Sequence, residues 1–145
     1  MTTPRQIARE QTLTRIKELA LAQLAERSAG ELSLRAIARE LGIVSSAIYR
    51  YYPSRDDLLT DLIVDGYDSL AGHVEDAARP LRSPRRRFVA GCHALRGWAQ
   101  EQPQRFGLLY GTAVPGYVAP KRTIEPAGRV ARALLAPIAE VDGPT

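Results

Sequence analysis

Residues 32–62 read LSLRAIARELGIVSSAIYRYYPSRDDLLTDL, and the spacing inside this stretch decides the fold. Ser33 has the chemistry of a helix N-cap, and Leu34, Ile37, Ala38 and Leu41 follow at helical steps. Gly42 comes at once, where a sharp reversal needs a residue at ease with positive φ. The implied helix is about two turns long, too short to be stable alone, so it must pack on neighbours. Ile43-Val44 and a second cap candidate, Ser45, then open another short helix, expected to run to about Tyr51 and to be closed by Pro53. Ser54 with Asp57 three residues on has the pattern of a capping box. It starts a long helix that turns Leu58, Leu59, Leu62, Ile63, Tyr67, Leu70 and Val74 inward. Ala38 is small where two crossing helices would touch, and Ile37, Leu41 and Ile48 can seal a miniature core. Two short helices pivoting on a glycine have the arrangement of a helix-turn-helix, whose second helix enters the major groove.

The flanks are helical too. Thr3-Pro4 reads as a cap with proline at the first helical position, and Leu13, Ile16, Ala20 and Leu24 make one apolar stripe. A first helix is expected from about Arg5 to Ala29, stopped by Gly30. Ser83-Pro84 repeats the same start, and Phe88, Cys92, Leu95 and Ala99 extend the stripe to a stop near Pro103. Phe106, Leu109 and Tyr110 make a short helix ended by Gly111, and residues 112–120, with two prolines and a glycine, read as a loop. Val130, Leu134, Leu135 and Ile138 mark a last helix, which Pro137 should bend or end. No strand-like alternation of useful length occurs, so the fold class is all-α.

Charge divides the chain in three. Residues 1–55 hold nine Lys/Arg against five Glu, residues 56–84 two against seven acids, and the remainder nine against four. The first basic block coincides with the helix-turn-helix, where a polyanion would be drawn in. No apolar run nears the roughly 20 residues that cross a bilayer, and the charged, polar start does not read as a signal peptide. With one cysteine, neither an intrachain disulfide nor a Cys-based zinc cluster can form, and a cytoplasmic location is expected.

The Leu-Gly-Ile turn, the Ile-Tyr-x-Tyr-Tyr end of the second helix and the Ser-Arg-Asp-Asp-Leu-Leu start of the next together resemble the head of the tetracycline-repressor (TetR) family. The match covers nearly all of the first 65 residues with every spacing intact. Tyr51-Tyr52 stands where His-Phe or Tyr-Phe is usual, and Arg55 where Lys is usual. The resemblance implies a three-helix DNA-binding head over residues 1–54 and a helical ligand-binding and dimerisation domain over 55–145. It implies that Val44, Ser45, Ser46, Ala47 and Tyr49 present the recognition face, with Ala47 able to meet a thymine methyl. It places Tyr49 and Tyr51 at phosphate and sugar, Ser33 and Arg35 at a phosphate clamp, and Arg55 at the position of the family's phosphate-binding lysine. Arg50 projects elsewhere, with no assigned role, and Tyr52 is expected to plug the core. Arg9 and Arg15 read as ordinary solvated charges, while Arg5 stands between that and a basic arm.

From about Arg79 onward the signals are less specific. Trp98, Phe106, Tyr110 and Tyr117 around a Pro/Gly loop resemble an actinobacterial subgroup of the family's sensor domains, and they are candidates to line an apolar ligand pocket. The alternative is the core of a small bundle, favoured for Trp98 and Phe106 and left open for Tyr110 and Tyr117. The implied function is a homodimeric regulator of double-stranded DNA, a repressor released by a small-molecule effector, with activation as the other possibility. The chain is shorter than family members usually are. Either the final helix is missing, or a dimer uses a shortened surface around Val130 to Val141.

Enzymatic chemistry finds no support. His73, Cys92 and His93 are the candidates for a metal or a nucleophile, but Cys92 and His93 are adjacent on a helix and diverge by about 100°. Cys92 is expected to be buried, and neither histidine has a sequence-evident third partner. No cofactor, metal or catalytic residue is expected.

Overall fold

In a computed structural model, which describes residues 1–111 and 113–141, the chain is helical throughout, with no strand among the described residues. Thr112 of the expected loop and residues 142–145 of the expected second domain lie outside them. Among the described residues seven α-helices follow in order: α1 Pro4–Glu26, α2 Leu34–Leu41, α3 Ser45–Ile48, α4 Arg55–Ala78, α5 Pro84–Glu101, α6 Pro103–Tyr110 and α7 Ile124–Val141. Two single 3-10 turns, Ala29–Glu31 and Lys121–Thr123, link them.

The expected caps form. Thr3 accepts from the Gln6 amide, and the Gln6 side chain closes the box on the Thr3 amide. Ser33 accepts from Ala36 and Ser83 from Arg86. The Ser54 hydroxyl accepts from the Asp57 amide and donates to its carboxylate. Gly42 ends α2 at φ 72°, in the left-handed region.

Four expectations need correction. α1 stops at Glu26, not Ala29, because Arg27 turns extended and Ser28 starts a separate 3-10 turn, its backbone amide and hydroxyl both donating to Glu31. α3 ends at Ile48 rather than Tyr51: the amides of Arg50 and Tyr51 bond three residues back, which tightens the chain into a turn. Its N-cap is Val44, which has no hydroxyl to offer, and Ser45 is already the first helical residue. Of the two outcomes expected at Pro137, a bend or an end, the helix does not end there: α7 runs on to Val141 with the proline buried inside it. Finally, Cys92 is exposed. The inward face of α5 passes through Gly91, Ala94 and Trp98, so the stripe lies one residue, about 100°, away from the one counted through cysteine.

The described residues cluster into two compact units. The first comprises 1–62 together with 113–117, and the second 63–111 with 118–141. The boundary falls within α4, after Leu62. Ile16, Ala20, Ile37, Ala38, Ile48, Leu58 and Leu59 are wholly buried in the first unit. In the second, Leu70, Ala71, Val74, Ala94, Trp98 and Val130 form the core, with Tyr67, Phe106, Leu109 and Leu134 packed against it. Gly91 admits this packing, since a Cβ there would lie 3.3 Å from Val74 and 3.5 Å from Leu134.

Candidate nucleic-acid interface

Within the first unit, α2 and α3 owe their positions to residues on all sides. Gln23 of α1 turns its amide to the start of α2, where it accepts from the Ser33 backbone amide at 2.9 Å and donates to the Ser33 carbonyl at 3.1 Å. Ala38 is fully buried, and past Gly42 the Ile43 amide bonds back to the Ala38 carbonyl at 3.1 Å. Ile48 is fully buried as the inward anchor of α3. Tyr52 is buried behind it, as the core-plug expectation had it, and its hydroxyl donates to Asp61 at 2.8 Å.

Over this base the opposite face of α3 is bare. Val44 is 70% and Tyr49 43% exposed, Ser45 and Ser46 are exposed, and Ala47 and Tyr51 are half-buried. A bare valine costs apolar hydration, yet the surface carries hydroxyls, a phenol, a methyl and an aliphatic tip, the groups that meet base edges and phosphate. Arg35 is exposed at the start of α2, beside the half-buried Ser33. The expected contact residues of α2 and α3 are therefore brought to exposed or half-exposed positions of one unit.

Arg55 is placed otherwise than a free phosphate ligand would be. Its Nη1 donates to the Gly30 carbonyl at 2.8 Å, and Nε and Nη2 both reach Asp56. Tyr117 is grouped differently from the other sensor candidates. It belongs to the first unit, where its hydroxyl pairs with that of Thr60. Pro115 of the same segment lies near Gly30, where a Cβ would be 3.7 Å from its ring.

In the second unit Trp98 is core, with its indole N–H donating to Ser69 at 3.1 Å and the Arg105 guanidinium 5.4 Å from its ring centre. Burial lowers the Arg105 pKa from its usual range, against the pull of Asp65. Tyr110 meets Phe106 at 5.2 Å and the edge of Tyr67 at 5.8 Å, and is half exposed. Burial first, and Tyr67 second, raise its phenol above the ordinary value. Arg129 of α7 grips Glu75 of α4 with two parallel bonds of 2.8 and 2.9 Å and reaches Asp68 at 3.5 Å. Nothing in the local sequence marks this pair, or that of Gln23 with Ser33. His73 and His93 are exposed, and no group of three or more metal-ligating side chains occurs among the described residues. No helix is long and apolar enough to cross a membrane among those residues.

Two family models match the chain. Residues 16–62 match "Bacterial regulatory proteins, tetR family", and residues 88–144 match "Tetracyclin repressor-like, C-terminal domain". The chain is 50% identical over 138 residues to the HTH-type transcriptional regulator Rv1816 of Mycobacterium tuberculosis and equally to Mb1846 of Mycobacterium bovis. That similarity covers 93% of this chain and 59% of each relative, so the chain spans about three-fifths of their length. The crystal structure of SCO4313 superposes with a TM-score of 0.86 at 40% identity, over 94% of this chain and 66% of that one. A protein of unknown function from Rhodococcus sp. RHA1 superposes with a TM-score of 0.78 at 26% identity, over 92% of this chain and 72% of that one.

Proposed function

The chain belongs to the TetR family of bacterial regulatory proteins, and from that membership we propose that it binds operator DNA through α2 and α3 and regulates transcription. The observation that carries the reading is the bare face of α3. Val44, Ser45, Ser46 and Tyr49 stand outward on a helix whose inward residue, Ile48, is fully buried. A surface that costs apolar exposure and is held by a dedicated core is one kept free for a partner. The basic balance of residues 1–55 suits that partner being a duplex. The matched relatives are named as transcriptional regulators, not as enzymes.

In this mechanism a homodimer sets two copies of α3 in successive major grooves, about 34–36 Å apart. Ser45, Ser46 and Ala47 read base edges, while Tyr49, Tyr51 and the α2 start at Ser33 and Arg35 hold the phosphates. A small molecule in the second unit, near Phe106 and Tyr110, favours a state of lower DNA affinity and relieves repression in the cytoplasm. The aromatic set of that unit and the half-exposed Tyr110 support a sensor there.

The test is selection of bound duplexes from a random pool, followed by affinity measurement over a range of salt. A regulator enriches one sequence and loses affinity steeply as salt rises. No enrichment, or a salt-insensitive affinity, overturns the reading.

A further inference from the structure

Arg9 of α1 carries no expected role, yet the structure joins it to the turn that follows the recognition helix. Its guanidinium carbon lies 5.0 Å from the centre of the Tyr51 ring, and its Nη2 donates to the Arg50 carbonyl at 3.3 Å, forty-one positions on. Both contacts fall on a segment with little support of its own. α3 has four residues and no side-chain N-cap, and the chain leaves it through a tight turn from Tyr49 to Tyr51. Arg50 is exposed and Tyr51 half-buried, so the ring is packed only in part.

We propose that Arg9 is a positioning residue for DNA binding, which fixes the Tyr51 ring so that its hydroxyl meets the duplex backbone in one orientation. The proposal rests on the regulator reading above. An arginine suits the task because its flat cation can lie over a ring face while an edge N–H donates to a carbonyl. A lysine offers a point charge without the plane. Holding one side chain before binding removes part of the ordering cost that the complex otherwise bears.

The experiment is a double-mutant cycle on the 145-residue chain, read as affinity for the duplex that the wild type selects from a random pool. Arg9→Gln weakens binding roughly tenfold, as a lost cation–π contact and hydrogen bond together imply. Arg9→Lys does not restore it. In a Tyr51→Phe background, which keeps the ring and removes the hydroxyl, Arg9→Gln has little further effect. The dependence of affinity on salt keeps its slope. A merely structural Arg9 would weaken both backgrounds equally, and that result overturns the proposal. So does unchanged affinity in Arg9→Gln, or a slope lowered by about one with rescue by Arg9→Lys, which marks a direct phosphate contact. If the wild type selects no duplex, the regulator reading falls, and this proposal with it. If it binds and is indifferent to Arg9, the proposal alone falls.

Discussion

The phenol oxygen of Tyr117 lies 2.8 Å from the hydroxyl of Thr60, fifty-seven positions away in the chain. Thr60 is buried, and its hydroxyl already donates to the Asp56 carbonyl at 2.9 Å, so Tyr117 donates to Thr60 in turn. A residue from the second half of the sequence thus completes the polar interior of the first unit. Tyr117→Phe keeps the ring and should cost about 1 kcal/mol of that unit's stability, the net worth of one hydrogen bond. Denaturant unfolding should show a lower midpoint with an unchanged slope, and an unchanged midpoint would mean that the bond contributes nothing.

Tyr49 and Arg55, both expected at the duplex backbone, should part company when replaced. Tyr49 is exposed and, among the described residues, bonded to nothing beyond its own turn, so Tyr49→Ala should weaken DNA binding and leave the melting temperature within about a degree. Arg55→Ala strands the Gly30 carbonyl and should cost about 1 kcal/mol of stability as well as any loss in binding. Melting both variants beside wild type separates the two cases.

Gly42 should resist replacement for a purely conformational reason. At φ 72° a side chain is disfavoured, yet a Cβ there would meet no atom within 4 Å. Gly42→Ala should therefore cost roughly 1–2 kcal/mol, and Gly42→Asn less, since asparagine tolerates the left-handed region. Equal costs for the two would point to a crowding that the structure does not contain.

Trp98→Ala should destabilise the second unit by about 3–5 kcal/mol, because it empties a packed site and leaves Ser69 without its indole partner. A loss below about 1 kcal/mol would instead suit a pocket wall. Thermal unfolding followed by far-UV circular dichroism decides between them.

The Glu75–Arg129 pair predicts a pH effect. Hydrogen bonding from Arg129 is the largest influence on Glu75 and holds its carboxyl below the ordinary 4.5, with desolvation opposing. A depressed folded-state pKa means that the stabilisation is present above about 4.5 and is lost as pH falls through the lower folded value. Acid titration of stability should then show wild type converging on Glu75→Gln below pH 4.5. Because the pair is partly exposed, added salt should shrink the difference between them at neutral pH.

The head was readable from sequence because its signals are local. Ser33, Gly42 and Ser54 each mark a helix end within three or four residues, and Leu34, Ile37, Ala38 and Leu41 follow one another at helical steps. Contacts between distant positions leave no such mark. Nothing near Arg9, Gln23 or Tyr117 announces Tyr51, Ser33 or Thr60. The α5 face was misjudged for a different reason. A stripe counted through Cys92 lies one residue from the face that packs, where Val74 and Leu134 approach Gly91. Arg55 kept its place in the motif, but its pairing with Gly30 depends on a turn twenty-five positions back.

The brevity of α3 has an evolutionary consequence. A helix of four residues, pinned from within by Ile48, asks almost nothing of the side chains on its outer face. Exchanges at Ser45 and Ser46, both exposed, should therefore leave folding nearly untouched, and on the proposed reading they would change what is read from the DNA. If that reading holds, relatives of this chain could diverge in operator choice at these positions without losing the fold.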